Sequence, residues 1–64
     1  MFTEYIKRQR LSKSLSQAEI AEIMGTSQSY YCTIERGKRK PGLKMLRRIA
    51  KALDVSVETL RSIM

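Results

Sequence analysis

Residues 16–37, SQAEIAEIMGTSQSYYCTIERG, decide how this chain folds. They read as a helix, a tight turn and a second helix. Ser16 and Glu19 stand at capping-box spacing: the serine hydroxyl accepts from the glutamate N–H, and the glutamate carboxylate reaches back to the serine N–H. Leu15 and Ile20 flank that cap as a hydrophobic staple. The helix is expected to run to Met24, with Ile20, Ala21 and Met24 on one face and Ala21 small enough for a close helix–helix approach. Gly25 falls where the chain must leave the helix left-handed, a conformation glycine adopts without a Cβ penalty. Ser27 then serves as N-cap for a second helix, Gln28 to about Arg36.

The second helix has two unlike faces. At about 100° per residue, Tyr31 and Ile34 form a core stripe, while Gln28, Ser29, Cys32, Thr33 and Arg36 point the other way. The outer face is small, polar and free of acid. Any amphipathic surface helix can look like this. Amides and hydroxyls of this size also suit base edges, and glutamine matches the N6/N7 donor–acceptor pair of adenine. The neighbours favour the second reading: a capped helix before, a glycine-centred turn between, and a strongly basic stretch after.

Composition narrows the classes. Sixty-four residues are expected to form one domain over 1–64 with a small core. The net charge is +7 and the sequence pI is about 10.1. From Arg36 to Lys51 there are eight basic residues (Arg36, Lys38, Arg39, Lys40, Lys44, Arg47, Arg48 and Lys51) and no acid. Such a block attracts polyanions. Charge alone leaves a solvated surface or anionic lipid open; its place beside the polar helix face favours nucleic acid. One cysteine and no histidine leave no intramolecular disulfide, no zinc cluster and no imidazole for proton transfer. We therefore expect no metal, no cofactor, no small-molecule ligand and no enzymatic activity. No apolar run is long enough to span a membrane and no leader is visible, so a reducing, cytoplasmic setting is expected.

Working outward, Thr3 or Glu4 starts an N-terminal helix reaching about Ser12 or Lys13, with Phe2, Tyr5 and Ile6 inward. Arg10 falls one turn beyond Ile6, on the inner side, where a charge must be paired to be tolerated. On the other side, Gly37-Lys38-Arg39-Lys40-Pro41-Gly42 is a loop: Gly37 closes the preceding helix and Pro41 stops its continuation. Consecutive cations on a loop suit phosphates, which position a protein, better than bases, which specify sequence. A fourth helix follows over Leu43 to Leu53, with Leu43, Leu46, Ile49, Ala50 and Leu53 as its core stripe. Lys44 sits near its start, against the helix dipole, which points to a use other than stability; Arg47, Arg48 and Lys51 read as solvated. Ser56 caps a fifth helix, and Val55 staples to Leu60. Val57, Leu60, Ile63 and Met64 leave more apolar surface than one short helix needs and read as a surface for a second copy. Tyr30, at the flank of the third helix, either touches a phosphate or covers apolar surface. Cys32 reads as a small filler, since a redox sensor needs a lowered pKa and a partner.

Three segments in order, LSQAEIAEIMG, SQSYYCTIERGKRKP and LRRIAKALDVSVETL, resemble the helix-turn-helix DNA-binding domains of lambdoid phage repressors, Cro proteins and XRE-type bacterial regulators, from about Ile6 to Leu60. The resemblance implies a compact, five-helix, all-α, lambda-repressor-like fold in a bacterial or phage-encoded protein. It implies sequence-specific binding of double-stranded DNA, and transcriptional regulation, as a repressor, with the third helix in the major groove. Base contacts then fall to Gln28, Ser29 and Thr33, and backbone contacts to Gln17, Tyr30, Arg36, Lys38, Arg39, Lys40 and Lys44. Gln17 would meet a phosphate and brace Gln28, and Arg10 would form a partly buried salt bridge with Glu35. Thr33 is shorter than the polar residue relatives often carry. Ser14 stands where relatives often have glycine and Gln9 where they often have leucine, so the first helix is expected to end less cleanly and add less core. Tyr31 replaces a branched aliphatic and is expected in the core with its hydroxyl at the surface. One domain makes few base contacts, so a homodimer on two half-sites is expected. Two rivals stand: a protein-interaction module of antitoxin-like or anti-regulator type on the same fold, and a membrane-active cationic peptide, whose single continuous amphipathic face these short capped helices lack.

Overall fold

In the computed structural model, which describes residues 1–64, the chain forms five helices and no strand: α1 (Phe2–Ser12), α2 (Gln17–Met24), α3 (Gln28–Glu35), α4 (Leu43–Leu53) and α5 (Val57–Ile63). Its extents are 25 × 22 × 18 Å. Local chemistry accounts for each boundary. Ser16 Oγ accepts from the Glu19 N–H at 3.0 Å and the Glu19 carboxylate accepts from the Ser16 N–H at 2.8 Å, a complete capping box. Ser27 and Ser56 cap α3 and α5 through the serine arm alone, accepting from Tyr30 and Thr59 N–H. Gly25 is left-handed (φ 73°), and behind it the Thr26 N–H donates to the Ala21 carbonyl at 2.9 Å, a Schellman closure. Gly37 closes α3 likewise, with the Lys38 N–H on the Thr33 carbonyl.

The ends of α1 and α3 differ from expectation. The first helix begins at Phe2, and it closes cleanly despite lacking a glycine: Ser14 itself takes φ 57°, and the Leu15 N–H reaches the Arg10 carbonyl at 3.1 Å. The cost of the missing glycine is therefore backbone strain in a serine rather than a frayed end. Ser14→Gly is expected to raise stability by about 0.5–1 kcal/mol, read as a higher midpoint in thermal unfolding. An unchanged or lower midpoint would show that the left-handed serine carries no cost. Arg36 lies one residue past the end of α3 and acts as its C-cap.

Ile6, Ile20, Ala21, Met24, Tyr31, Ile34, Leu46, Ile49, Ala50, Leu53 and Leu60 form one buried cluster, with Phe2, Tyr5, Leu15 and Val57 among the residues packed on its edge. α2 packs on α3 and α4, α1 on α3 and α4, and α5 on α4. Ala21 sits in this cluster, 1% exposed. Two apolar expectations are corrected. Leu43 is 50% exposed, because it lies at the first position of α4 before the helix turns inward. Leu60 is fully buried as the single anchor of α5 in the core, so it cannot belong to a surface for a second copy. Val57 and Ile63 are half-buried and Met64 is exposed. Leu43 and Met64 line one surface groove with Pro41, Leu46 and Arg61. No helix is long and apolar enough to cross a membrane.

Candidate nucleic-acid interface

The outer face of α3 is built from below by a buried polar network. Arg10 and Glu35 pair in a two-pronged geometry, Nε to Oε2 at 2.8 Å and Nη2 to Oε1 at 3.0 Å, with both side chains nearly inaccessible. Two further donors meet the same carboxylate: the Tyr31 hydroxyl at 2.7 Å and the Gln17 amide at 3.0 Å. The remaining prong of Arg10, Nη1, donates to the Leu15 carbonyl at 2.7 Å. No buried side-chain polar atom is left without a partner. One carboxylate thus joins α1, α2 and α3.

This arrangement corrects two expectations. The Tyr31 hydroxyl is not at the surface; the residue is fully buried and points its oxygen at Glu35, one turn along its own helix. Gln17 is not braced on Gln28, because its amide is drawn to the stronger acceptor, the Glu35 carboxylate. Burial pushes the Glu35 pKa upward, but hydrogen bonds from Arg10, Tyr31 and Gln17 outweigh it and hold the group below the usual 4.5. Burial and the Glu35 carboxylate together push the Tyr31 hydroxyl well above its ordinary value, so it stays a donor. The Glu35 hydrogen bond raises the Arg10 pKa despite burial.

Above that base, Gln28 and Ser29 stand exposed in the first turn of α3, and Arg36 is exposed at its end. Thr33 is half-buried, and its hydroxyl donates to the Tyr30 carbonyl at 2.6 Å. Its proton is committed, so it offers outside only acceptor lone pairs and a methyl group. Cys32 is half-buried beside it. Lys38, Arg39 and Lys40 are exposed on the loop, and Lys44 is exposed at the start of α4. The Arg39 guanidinium lies over the Tyr30 ring, 5.3 Å from its centroid. Tyr30 therefore covers apolar surface and also holds a loop cation against the edge of α3. Arg48 departs from the solvated role expected of it: it is half-buried, and its Nη1 donates to the Met24 carbonyl at 3.3 Å.

A polar, acid-free helix face thus stands beside a basic loop, carried on a capped helix-turn-helix. The helix-turn-helix family profile matches residues 6–60. The chain belongs to the helix-turn-helix family. Among its relatives is an HTH-type transcriptional regulator of Mycobacterium tuberculosis, 45% identical over 56 residues, which are 88% of this chain and 40% of that protein. The structure of SinR, the Bacillus subtilis master regulator for biofilm formation, in complex with DNA superposes with a TM-score of 0.87 at 39% identity, covering 95% of this chain and 98% of that one. The restriction-modification controller protein C.AhdI of Aeromonas hydrophila superposes equally well, TM-score 0.87 at 34% identity, covering 92% of this chain and 89% of that one. This family member spans 40% to 55% of the length of the first curated relatives it matches.

Four contacts of the site escaped the sequence reading. The Tyr31–Glu35 bond had a signal, since residues four apart on a helix are neighbours. The Gln17–Glu35, Arg39–Tyr30 and Arg48–Met24 contacts had none, because each joins different elements.

Proposed function

We propose that this chain binds double-stranded DNA sequence-specifically and regulates transcription, most simply as a repressor that blocks polymerase where it sits. The observation that carries the proposal is a juxtaposition. Exposed Gln28 and Ser29 open α3, and exposed Arg36, Lys38, Arg39, Lys40 and Lys44 follow with no exposed acid between, Glu35 being buried and paired with Arg10. In this reading α3 enters the major groove with its first turn at base edges. Gln28 reads an adenine, Ser29 and Thr33 add shorter contacts, and Arg36, Lys38, Arg39, Lys40 and Lys44 hold phosphates. Tyr30 contributes to the backbone contacts chiefly through Arg39. Gln17 meets a phosphate only on leaving Glu35. The function is binding without a chemical step, exercised in a bacterial cytoplasm where the genome is accessible.

A homodimer completes the site. Its surface is Val57, Ile63 and Met64, extended by exposed Leu43 and without buried Leu60. Two domains related by a two-fold axis would read half-sites about 34–36 Å apart.

Selection from a random duplex pool tests both proposals. The expected outcome is a preferred sequence with two-fold symmetry at that spacing. A single unrepeated site would remove the dimer, and no enrichment would transfer the function to a protein-interaction module. At the selected site, Gln28→Ala is expected to cost about 1–3 kcal/mol and to relax preference at one base pair per half-site. Unchanged preference across a panel of base substitutions would exclude Gln28 from base reading.

A further inference from the structure

Arg48 is the one cation between Arg36 and Lys51 that is not exposed. Its neighbours on α4, namely Lys44, Arg47 and Lys51, all stand in solvent. Its guanidinium reaches across to the far end of α2, where Nη1 donates to the Met24 carbonyl at 3.3 Å. That carbonyl is one of those an α-helix leaves unpaired at its C-terminus, and a cation there also meets the negative end of the helix dipole. The same Nη1 lies 3.8 Å from where a side chain at position 25 would begin, so the guanidinium lies against the turn. Gly25 has the widest conformational freedom of any residue there, and only Thr26 and Ser27 separate it from α3. The Schellman bonds use the carbonyls of Ala21 and Glu22 and leave Met24 to Arg48.

We propose that Arg48 is a positioning residue for sequence reading: a strut from α4 that sets the angle at which α3 leaves α2, and so the reach of Gln28 and Ser29. It rests on the DNA-binding reading above. In this role Arg48 touches no nucleic acid, and one N–H of its guanidinium is used at the end of α2. A flexed turn would tilt the first turn of α3 while leaving the loop cations in place. Loss of the strut therefore damages discrimination between sequences more than attraction to phosphate.

The experiment compares Arg48→Met, which keeps the aliphatic stem, Arg48→Lys, which keeps a donor, and Lys44→Met, a control that removes an exposed cation. Each protein is titrated with the selected site and with mixed-sequence duplex over a range of salt, and amide hydrogen exchange is followed at Thr26, whose N–H closes the turn. Arg48→Met is expected to speed exchange at Thr26 about tenfold and to lower the ratio of specific to mixed-sequence affinity about tenfold, as loss of one charged hydrogen bond allows. The salt slope stays unchanged. Arg48→Lys restores part of both effects. Lys44→Met does the reverse, reducing the slope by about 1 with the ratio intact. A slope reduced by about 1 in Arg48→Met with its ratio intact would make Arg48 a phosphate contact and overturn the proposal. So would unchanged exchange and unchanged ratio. Faster exchange in a protein that binds no duplex at all would keep the strut but remove its role in reading, and would count against the DNA-binding reading itself.

Discussion

Glu35→Ala is expected to cost about 3–5 kcal/mol of folding stability, because it leaves the Arg10 guanidinium buried without its counter-charge. At roughly 0.05–0.15 kcal/mol per residue, that is most of what a chain of this size has. Three donors lose their acceptor together, from α1, α2 and α3. The ion pair itself is a different matter. Replacing all the buried partners by apolar groups, as Arg10→Met with Tyr31→Phe and Glu35→Leu, is expected to recover stability to within about 2 kcal/mol of the native protein. Tyr31→Phe belongs in that set, since a buried hydroxyl facing a leucine would cost about 1–3 kcal/mol. Chemical denaturation of the single and triple variants checks the order. A loss below about 0.5 kcal/mol for Glu35→Ala, the scale of an exposed pair, would show that the network is not structural. The same carboxylate sets an acid limit. Its pKa is lowered in the folded protein, so its contribution is complete above the unfolded value near 4.5 and is lost as pH falls through the lower folded one. Unfolding by acid should begin below about pH 4.5 and be shallower in the triple variant, which keeps only the exposed Glu19 and Glu4 carboxylates with lowered pKa.

Binding to mixed-sequence duplex is expected to weaken about 500-fold per domain between about 50 and 200 mM salt. The figure follows from five exposed cations, Arg36, Lys38, Arg39, Lys40 and Lys44, each displacing condensed counterions, for a slope of about −4.5. Fluorescence anisotropy titrated with salt measures it. Arg39→Ala should weaken all sequences alike and reduce the slope by about 1. Tyr30→Ala should act in the same direction by a smaller amount, because it frees the Arg39 side chain that the ring holds. A slope near zero would mean that the basic block faces something other than phosphates. Loss confined to one sequence in Arg39→Ala would make Arg39 a base reader.

Much of the fold was readable along the chain because its determinants are local. The Ser16–Glu19 capping box, the Ser27 and Ser56 caps, and left-handed Gly25 and Gly37 each depend on residues a few positions apart. The apolar stripes of α2 and α4 follow from helical period, and Arg10 announced its need for a partner by falling on an inward face. The exposed face of α3 and the basic loop were legible for the same reason. Helical period does not say on which turn an element meets the core, nor which side of a terminal helix does. Leu43 has the right spacing for the core but sits on the first turn of α4, outside it, and Leu60 has the spacing of a surface stripe but is the residue that anchors α5.

By itself, then, the sequence determined the five helices, their caps and turns, the inward set of apolar residues and the acid-free basic surface, since each is a short-range consequence of residue type. Only the tertiary structure decided how the polar side chains spend their hydrogen bonds. It gave Gln17 and Tyr31 to Glu35, Arg39 to Tyr30 and Arg48 to the end of α2. Long side chains reach between elements, and a buried carboxylate collects every donor that packing brings within reach. Apart from Tyr31, one helical turn from Glu35, which donors those are depends on distances that no spacing along the chain encodes.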